Sequence, residues 1–161
     1  MNPVGELLAQ EDIRLDLDAA NRSDVLGEIA AVLGARNGLS KAFVLECLAS
    51  REQLGSTGVG HGVAIPHARM DRCAAPAGAF VRTRTAVAFD APDGKPVSVF
   101  LGLIVPNRAT ERHLHLLATA AAMFSDRDFR EKLRNAADPG EVKDLLAGWT
   151  EARGTAGGQR A

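Results

Sequence analysis

At 161 residues, with 19 basic and 20 acidic side chains and a formal net charge of -1, the chain fits one domain and carries no basic field able to hold nucleic acid or an anionic lipid surface by charge. Its two cysteines, Cys47 and Cys73, stand far apart without a C-x-x-C partner, which argues against a zinc ribbon, a thioredoxin motif or a secreted disulfide scaffold and reads as two reduced thiols. The opening MNPVGELLAQED lacks a basic n-region and a long apolar h-region, and the longest apolar run, 97–105, is too short to span a bilayer; a cytoplasmic protein with no direct membrane insertion is expected.

Along the chain, Val25, Leu26, Ile29, Val32 and Leu33 recur at three-and-four spacing, which predicts an amphipathic helix over 22–34 capped by Asn21 or Ser23 and ended by Gly34 or Gly38. A second helix is expected from Ser40 through Val44, Cys47 and Leu48 to Leu54, with Arg51 in its last turn and Gly55 as its stop. There follows the most informative stretch, REQLGSTGVGHGVAIPHAR over 51–69. Gly55, Gly58, Gly60 and Gly62 are interleaved with Ser56, Thr57 and His61, so the backbone can bend closely and turn amide N–H groups toward an anion. Val63, Ala64 and Ile65 read as a short buried strand whose ladder ends at Pro66, which has no N–H to donate. His67 is then presented at a strand end, flanked by arginines.

Beyond it, strand signals occupy 79–83 and 86–89, then a turn through Pro92, Asp93 and Gly94, then 97–105. This last run is near-continuously apolar, the mark of a strand covered on both faces, and so requires helices on both sides of the sheet. Helices are expected over 110–124, 126–134 and 139–149, the last started by Asp138-Pro139 and closed onto the core by Leu146 and Trp149. The polar, glycine- and alanine-rich stretch 151–161 has nothing to bury and reads as a disordered tail after a domain spanning 1–150.

On the helix beginning near 110, each residue turns by about 100°, so His113 shares the face of Leu116, Leu117, Ala120 and Phe124 while His115 points away. His113 also sits in the first turn of a helix that follows the carboxyl end of a central strand, where ligands bind in open α/β sheets and where the helix terminus attracts an anion. It suits a ring that donates one N–H to a phosphate. His67 suits the nucleophile, because imidazole at neutral pH offers a lone pair for in-line attack on phosphorus. Phosphoryl transfer depends chiefly on positioning and positive electrostatics around the equatorial oxygens. Backbone amides, Ser56, Thr57, His113 and an arginine can supply both. Because an N–P bond formed on histidine stays labile, a relay fits this chemistry better than a hydrolase. A zinc site from His61, His67, His113 and His115 fits poorly, since His115 faces away and there is no helical H-x-x-x-H or thiolate pair. Arg69 and Arg72 read as solvated surface charges, and Glu111 and Arg112 as a solubilised helix start.

Three segments, REQLGSTGVGHGVAIPHAR, AVAFDAPDGKPVSVFLGLIVP and HLHLL, together resemble the enzyme IIA domains of the fructose/mannitol class of the phosphotransferase system, and most closely their nitrogen-regulatory branch, over about 5–149. The resemblance implies the type-2 IIA fold, a mixed sheet of about five strands flanked by helices on both faces. It implies that His67 accepts a phosphoryl group on Nε2 from an HPr-like phosphocarrier, that His113 is the second active-site histidine, and that Arg51 lies near the phosphate; no cofactor is implied. The loop residues Gly55, Ser56, Thr57 and Gly58 are the expected phosphate-binding segment. The sequence departs from the branch at His61, usually asparagine there, and at Ala68, commonly glycine. Three readings follow: a phosphocarrier whose two charge states dock differently on transporters, kinases or other targets; the IIA component of a sugar transporter passing phosphate to a IIB domain; and a binding module that never carries phosphate.

Overall fold

The computed structural model describes residues 2–108 and 110–150; the expected tail over 151–161 lies outside the described residues. The chain opens with α1 (Pro3–Leu7), a single 3₁₀ turn at Gln10–Asp12 and β1 (Ile13–Leu17), followed by α2 (Arg22–Asn37) and α3 (Lys41–Leu54). Three short strands come next, β2 (Gly58–Gly60), β3 (Val63–Ala64) and β4 (His67–Met70), then the long β5 (Ala77–Val87) and β6 (Val97–Pro106), and finally α4 (Glu111–Ser125), α5 (Arg127–Asn135) and α6 (Pro139–Gly148). No helix among the described residues is long and apolar enough to cross a membrane.

The sheet has six strands, in the order β1-β5-β6-β3-β2 with β4 also paired to β6. β5 and β6 run antiparallel, whereas β1 is parallel to β5, and β3 and β4 are both parallel to β6, which makes the sheet mixed as expected. β6 alternates its side chains between two cores: Val99, Leu101, Leu103 and Val105 pack under α1, α4, α5 and α6, while Phe100 and Ile104 pack under α2 and α3. From Val99 to Val105 both faces of β6 are therefore dry. Each large side chain buried there, such as Phe100 or Leu103, contributes about 1.5–3 kcal/mol relative to exposure.

Helix ends follow local chemistry. The Asn21, Ser40, Thr110, Asp126 and Asp138 side chains each accept the backbone N–H three residues on, capping α2, α3, α4, α5 and α6. α2 does not stop at Gly34. A Cβ at that position would lie 2.7 Å from the Leu39 carbonyl oxygen, so Gly34 permits close approach inside the structure, and the helix ends at Gly38 with φ of 65°. The two strands expected at 79–83 and 86–89 are one, β5, with its register shifting between Arg82 and Val87. α1, β1, β2 and β4 carried no clear periodicity. α1 is held by its neighbours instead: the Asn2 side-chain amide donates to the carbonyls of Leu146 (2.7 Å) and Trp149 (2.8 Å), tying the start of the chain to the end of α6.

Candidate functional site

The site is built on an interrupted strand. β3 and β4 lie one after the other along the same edge of β6, with Val63 opposite Val99 and His67 opposite Leu103, and the break between them is Ile65-Pro66. Proline cannot donate to the ladder, yet its carbonyl still accepts from the Leu103 N–H at 2.9 Å, and pairing resumes immediately afterwards. His67 is thus the first residue of a new strand, a correction to the expectation that the ladder simply ends before it. Its backbone is fixed by β6 while its side chain stays half-buried.

The ring's tautomer follows from the same break. His67 Nδ1 lies 2.8 Å from the Ile65 carbonyl oxygen, which can only accept, so Nδ1 carries the proton and the lone pair is on Nε2. His67 lines an open cleft of about 570 Å³ together with Arg51, Ser50, Cys47 and Glu46 from α3 and Arg69 from β4. Arg69 lies two residues beyond His67 on the strand and thus on the same face, a period-two signal in the sequence that the reading of Arg69 as a plain surface charge passed over. Burial pushes the Cys47 thiol up, with the Glu46 and Asp71 carboxylates adding to the effect, which disfavours its thiolate form in the cleft that His67 lines.

Arg51 comes to the cleft from the last turn of α3 and donates to the Gly55 carbonyl at 2.8 Å, bracing the start of the glycine loop. The loop itself is heavily cross-linked. The Gly55 N–H donates to the Glu52 carbonyl, the Thr57 N–H and hydroxyl both donate to the Glu52 carboxylate, and the Gly58 N–H donates to Ser56 Oγ, which in turn donates to the Phe89 carbonyl at 2.6 Å. Among the described residues only the Ser56 amide in this segment lacks a protein partner. The amides of Gly55, Thr57 and Gly58 are spent on holding the loop's shape, which runs against the expected open cradle of N–H groups. Glu52, 4% exposed, is the anchor that the sequence reading missed; an acidic residue three positions before the G-S-T turn was its signal.

Further along, His61 adopts φ of 58°, a left-handed conformation in which asparagine, aspartate and histidine are the tolerated non-glycine residues. Its N–H donates to Asp93 at 2.9 Å, and this bond, followed by that from the Lys95 amide, holds the Asp93 carboxyl below the usual carboxylate range.

His113 occupies the third position of α4 and is half-buried, whereas His115 is exposed, as the helical spacing implied. Its Nδ1 accepts the Thr110 N–H at 3.3 Å while the Thr110 hydroxyl accepts the His113 N–H at 3.4 Å, a reciprocal cap. With Nδ1 accepting, a neutral His113 ring carries its proton on Nε2 and presents a donor. His113 is not among the residues lining the His67 cleft; it belongs to the helix that β6 feeds, and Asn107, on the way to that helix, is bonded to the far end of β4 through the Met70 carbonyl. Arg51 and His67 are brought together in the cleft itself. Leu54, 85% exposed at its rim, and Leu114, 55% exposed beside His113, are large apolar side chains left uncovered. Among the described residues no three His, Cys, Asp or Glu side chains converge to hold a metal ion.

Residues 6–148 match the family described as phosphoenolpyruvate-dependent sugar phosphotransferase system, EIIA 2. A nitrogen regulatory protein of Klebsiella oxytoca is 34% identical over 144 residues, covering 89% of this chain and 89% of that protein. The crystal structure of nitrogen regulatory protein IIA-Ntr from Neisseria meningitidis superposes with a TM-score of 0.86 at 44% identity, covering 90% of this chain and 99% of that one. The mannitol IIA in its complex with phosphorylated IIB from Escherichia coli shares the fold at a TM-score of 0.76 and 22% identity, covering 88% of this chain and 98% of that one.

Proposed function

Because the chain belongs to the EIIA 2 family of the phosphoenolpyruvate-dependent sugar phosphotransferase system, we propose that it is a phosphocarrier that takes a phosphoryl group onto His67 Nε2 and acts as a nitrogen-related regulatory protein. The observation that carries this reading is the 2.8 Å contact from His67 Nδ1 to the Ile65 carbonyl, which leaves the Nε2 lone pair for attack in a residue lining an open cleft. Nε2 attacks the phosphorus of a phosphohistidine on an HPr-like carrier; the new N–P bond forms as the donor's N–P bond breaks, and the donor imidazole leaves with the electron pair. As the phosphoryl group arrives, positive charge grows on the His67 ring, and the Ile65 carbonyl stabilises it through Nδ1–H.

The transferred group's oxygens would meet the Arg51 guanidinium, the Ser56 amide and Nε2–H of His113, with the Gly55–Gly58 backbone acting as a braced shelf. The uncovered Leu54 and Leu114 suit a macromolecular donor rather than a small molecule, since such side chains gain from burial at an interface. A charge of up to about -2 appearing beside this surface then changes which targets, transporters or kinases among them, dock there. The regulatory assignment is supported by the likeness to nitrogen regulatory proteins over most of both chains. The mannitol IIA–IIB complex supports the same chemistry with a IIB domain as outlet.

The test is incubation of the purified chain with a phosphorylated HPr-like carrier and measurement of intact mass. The wild type gains one acid-labile phosphoryl group and His67→Ala gains none; a wild type that stays unmodified, or a His67→Ala variant that loads equally, overturns the reading.

A further inference from the structure

Toward the start of β6, away from the histidine cleft, a second cleft of about 490 Å³ opens among Lys95, Ser98, Arg127, Arg130, Glu131 and Arg134, with His61 at its edge. Ser98 lies five positions before Leu103, the β6 partner of His67, so the two clefts are separated by about 16 Å along the strand. Four basic side chains line this space against one carboxylate, and that carboxylate, Glu131, pairs with Arg134 at 3.4 Å. Two acids outside the cleft are already engaged: Asp93 accepts the His61 and Lys95 amides, and Asp126 caps Phe129 and accepts the Trp149 indole N–H at 3.1 Å.

Arg130 makes the arrangement costly. It is 7% exposed, its Nη1 donates to the Phe124 carbonyl at 2.9 Å, and among the described residues no carboxylate lies in ion-pair contact with it. Burial, followed by the like charge of Arg134, lowers its affinity for its proton. Arg127, Arg130 and Arg134 recur along one helix face at three-and-four spacing, where like charges repel. A bound anion would remove the cost at all of them at once. Guanidinium groups are planar forks that match phosphate oxygens two bonds at a time, and the cleft is large enough for more than one phosphate group.

We propose that this cleft is a binding site for a small compound bearing a di- or triphosphate group, separate from the His67 chemistry. Gly62, with φ of 77°, belongs to its wall: a Cβ there would come within 3.0 Å of Arg134 Nη2, and the same guanidinium donates to the His61 carbonyl, so the loop and α5 are clamped around the opening.

Calorimetric titration of the full chain with inorganic pyrophosphate and, in a second arm, with ADP, at about 150 mM ionic strength, tests the site. Saturable binding of one equivalent with a dissociation constant below about 1 mM is expected, weakened about tenfold in Arg127→Gln and in Lys95→Gln, both exposed positions whose substitution leaves the fold intact. Binding is expected to be unchanged in Lys132→Gln, which removes an exposed α5 charge outside the cleft, and in His67→Ala. Tighter binding of ADP than of pyrophosphate makes the ligand a nucleotide; equal binding makes the phosphate groups the whole recognition element. Unsaturable binding, an equal loss in Lys132→Gln, or abolition by His67→Ala overturns the proposal. The phosphoryl-loading assay reads the other cleft, so either reading can fail alone.

Discussion

Replacing Glu52 by alanine removes the anchor of the glycine loop, and the structure sets the size of the effect. Glu52 and Thr57 are 4% and 6% exposed, and the carboxylate accepts both the Thr57 N–H, at 3.2 Å, and the Thr57 hydroxyl. Each buried donor left without a partner costs about 1–3 kcal/mol, offset by the few tenths that alanine gains as a helix former, so Glu52→Ala should lose about 2–5 kcal/mol of stability. Thr57→Val removes one donor and keeps the other, and should cost about 1–2 kcal/mol. Because the two side chains share one interaction, the double variant should be more stable than the sum of the single losses predicts, with a coupling of about 1 kcal/mol or more. Urea denaturation of the four proteins measures this directly. The Gly55 N–H on the Glu52 carbonyl and the Arg51 contact to Gly55 transmit the loosening to the cleft, so phosphoryl loading should slow in Glu52→Ala more than its loss of folded protein accounts for. A loss below about 0.5 kcal/mol, or additive single variants, would show that the loop is held by something else.

His113→Gln, which retains an acceptor for the helix cap, should fold normally yet load phosphate about 100-fold more slowly; wild-type rates would remove His113 from the chemistry. Gly102→Ala should destabilise by about 1–3 kcal/mol, because the new methyl group collides with the Ile29 side chain on the α2 face of β6, and an unchanged denaturation midpoint would refute that packing. Asp93 is depressed in the folded protein, so it binds its proton at lower pH folded than unfolded; its contribution is complete above the ordinary carboxylate value near 4 and disappears as pH falls through the folded value. Asp93→Asn should therefore lose stability at neutral pH and flatten the acid limb of the stability profile, which thermal melts across pH read out. Cys47, raised by burial, should resist alkylation by iodoacetamide at pH 7 and react as pH passes well above the ordinary thiol value of about 8.5; once alkylated it should block loading of His67 in the same cleft.

The sequence alone specified whatever depends on short-range chemistry. The capped helices α2 and α3, the doubly buried β6 and the placing of His67 just past Pro66 could be read because spacing, caps and the missing proline N–H act within a few residues. The same spacing separated His113 from His115 on one helix. What the tertiary structure decided are the long-range pairings: that β4 resumes the ladder beside Leu103, that α1 and β1 are held by α6 and β5, that the loop amides are consumed by Glu52 and Ser56, and that four cations from β6's approach and α5 gather in one cleft. A two- or four-residue strand has too few alternating positions to show a period, and whether an amide is free or spent depends on which distant acceptor the fold brings to it, which local sequence does not encode.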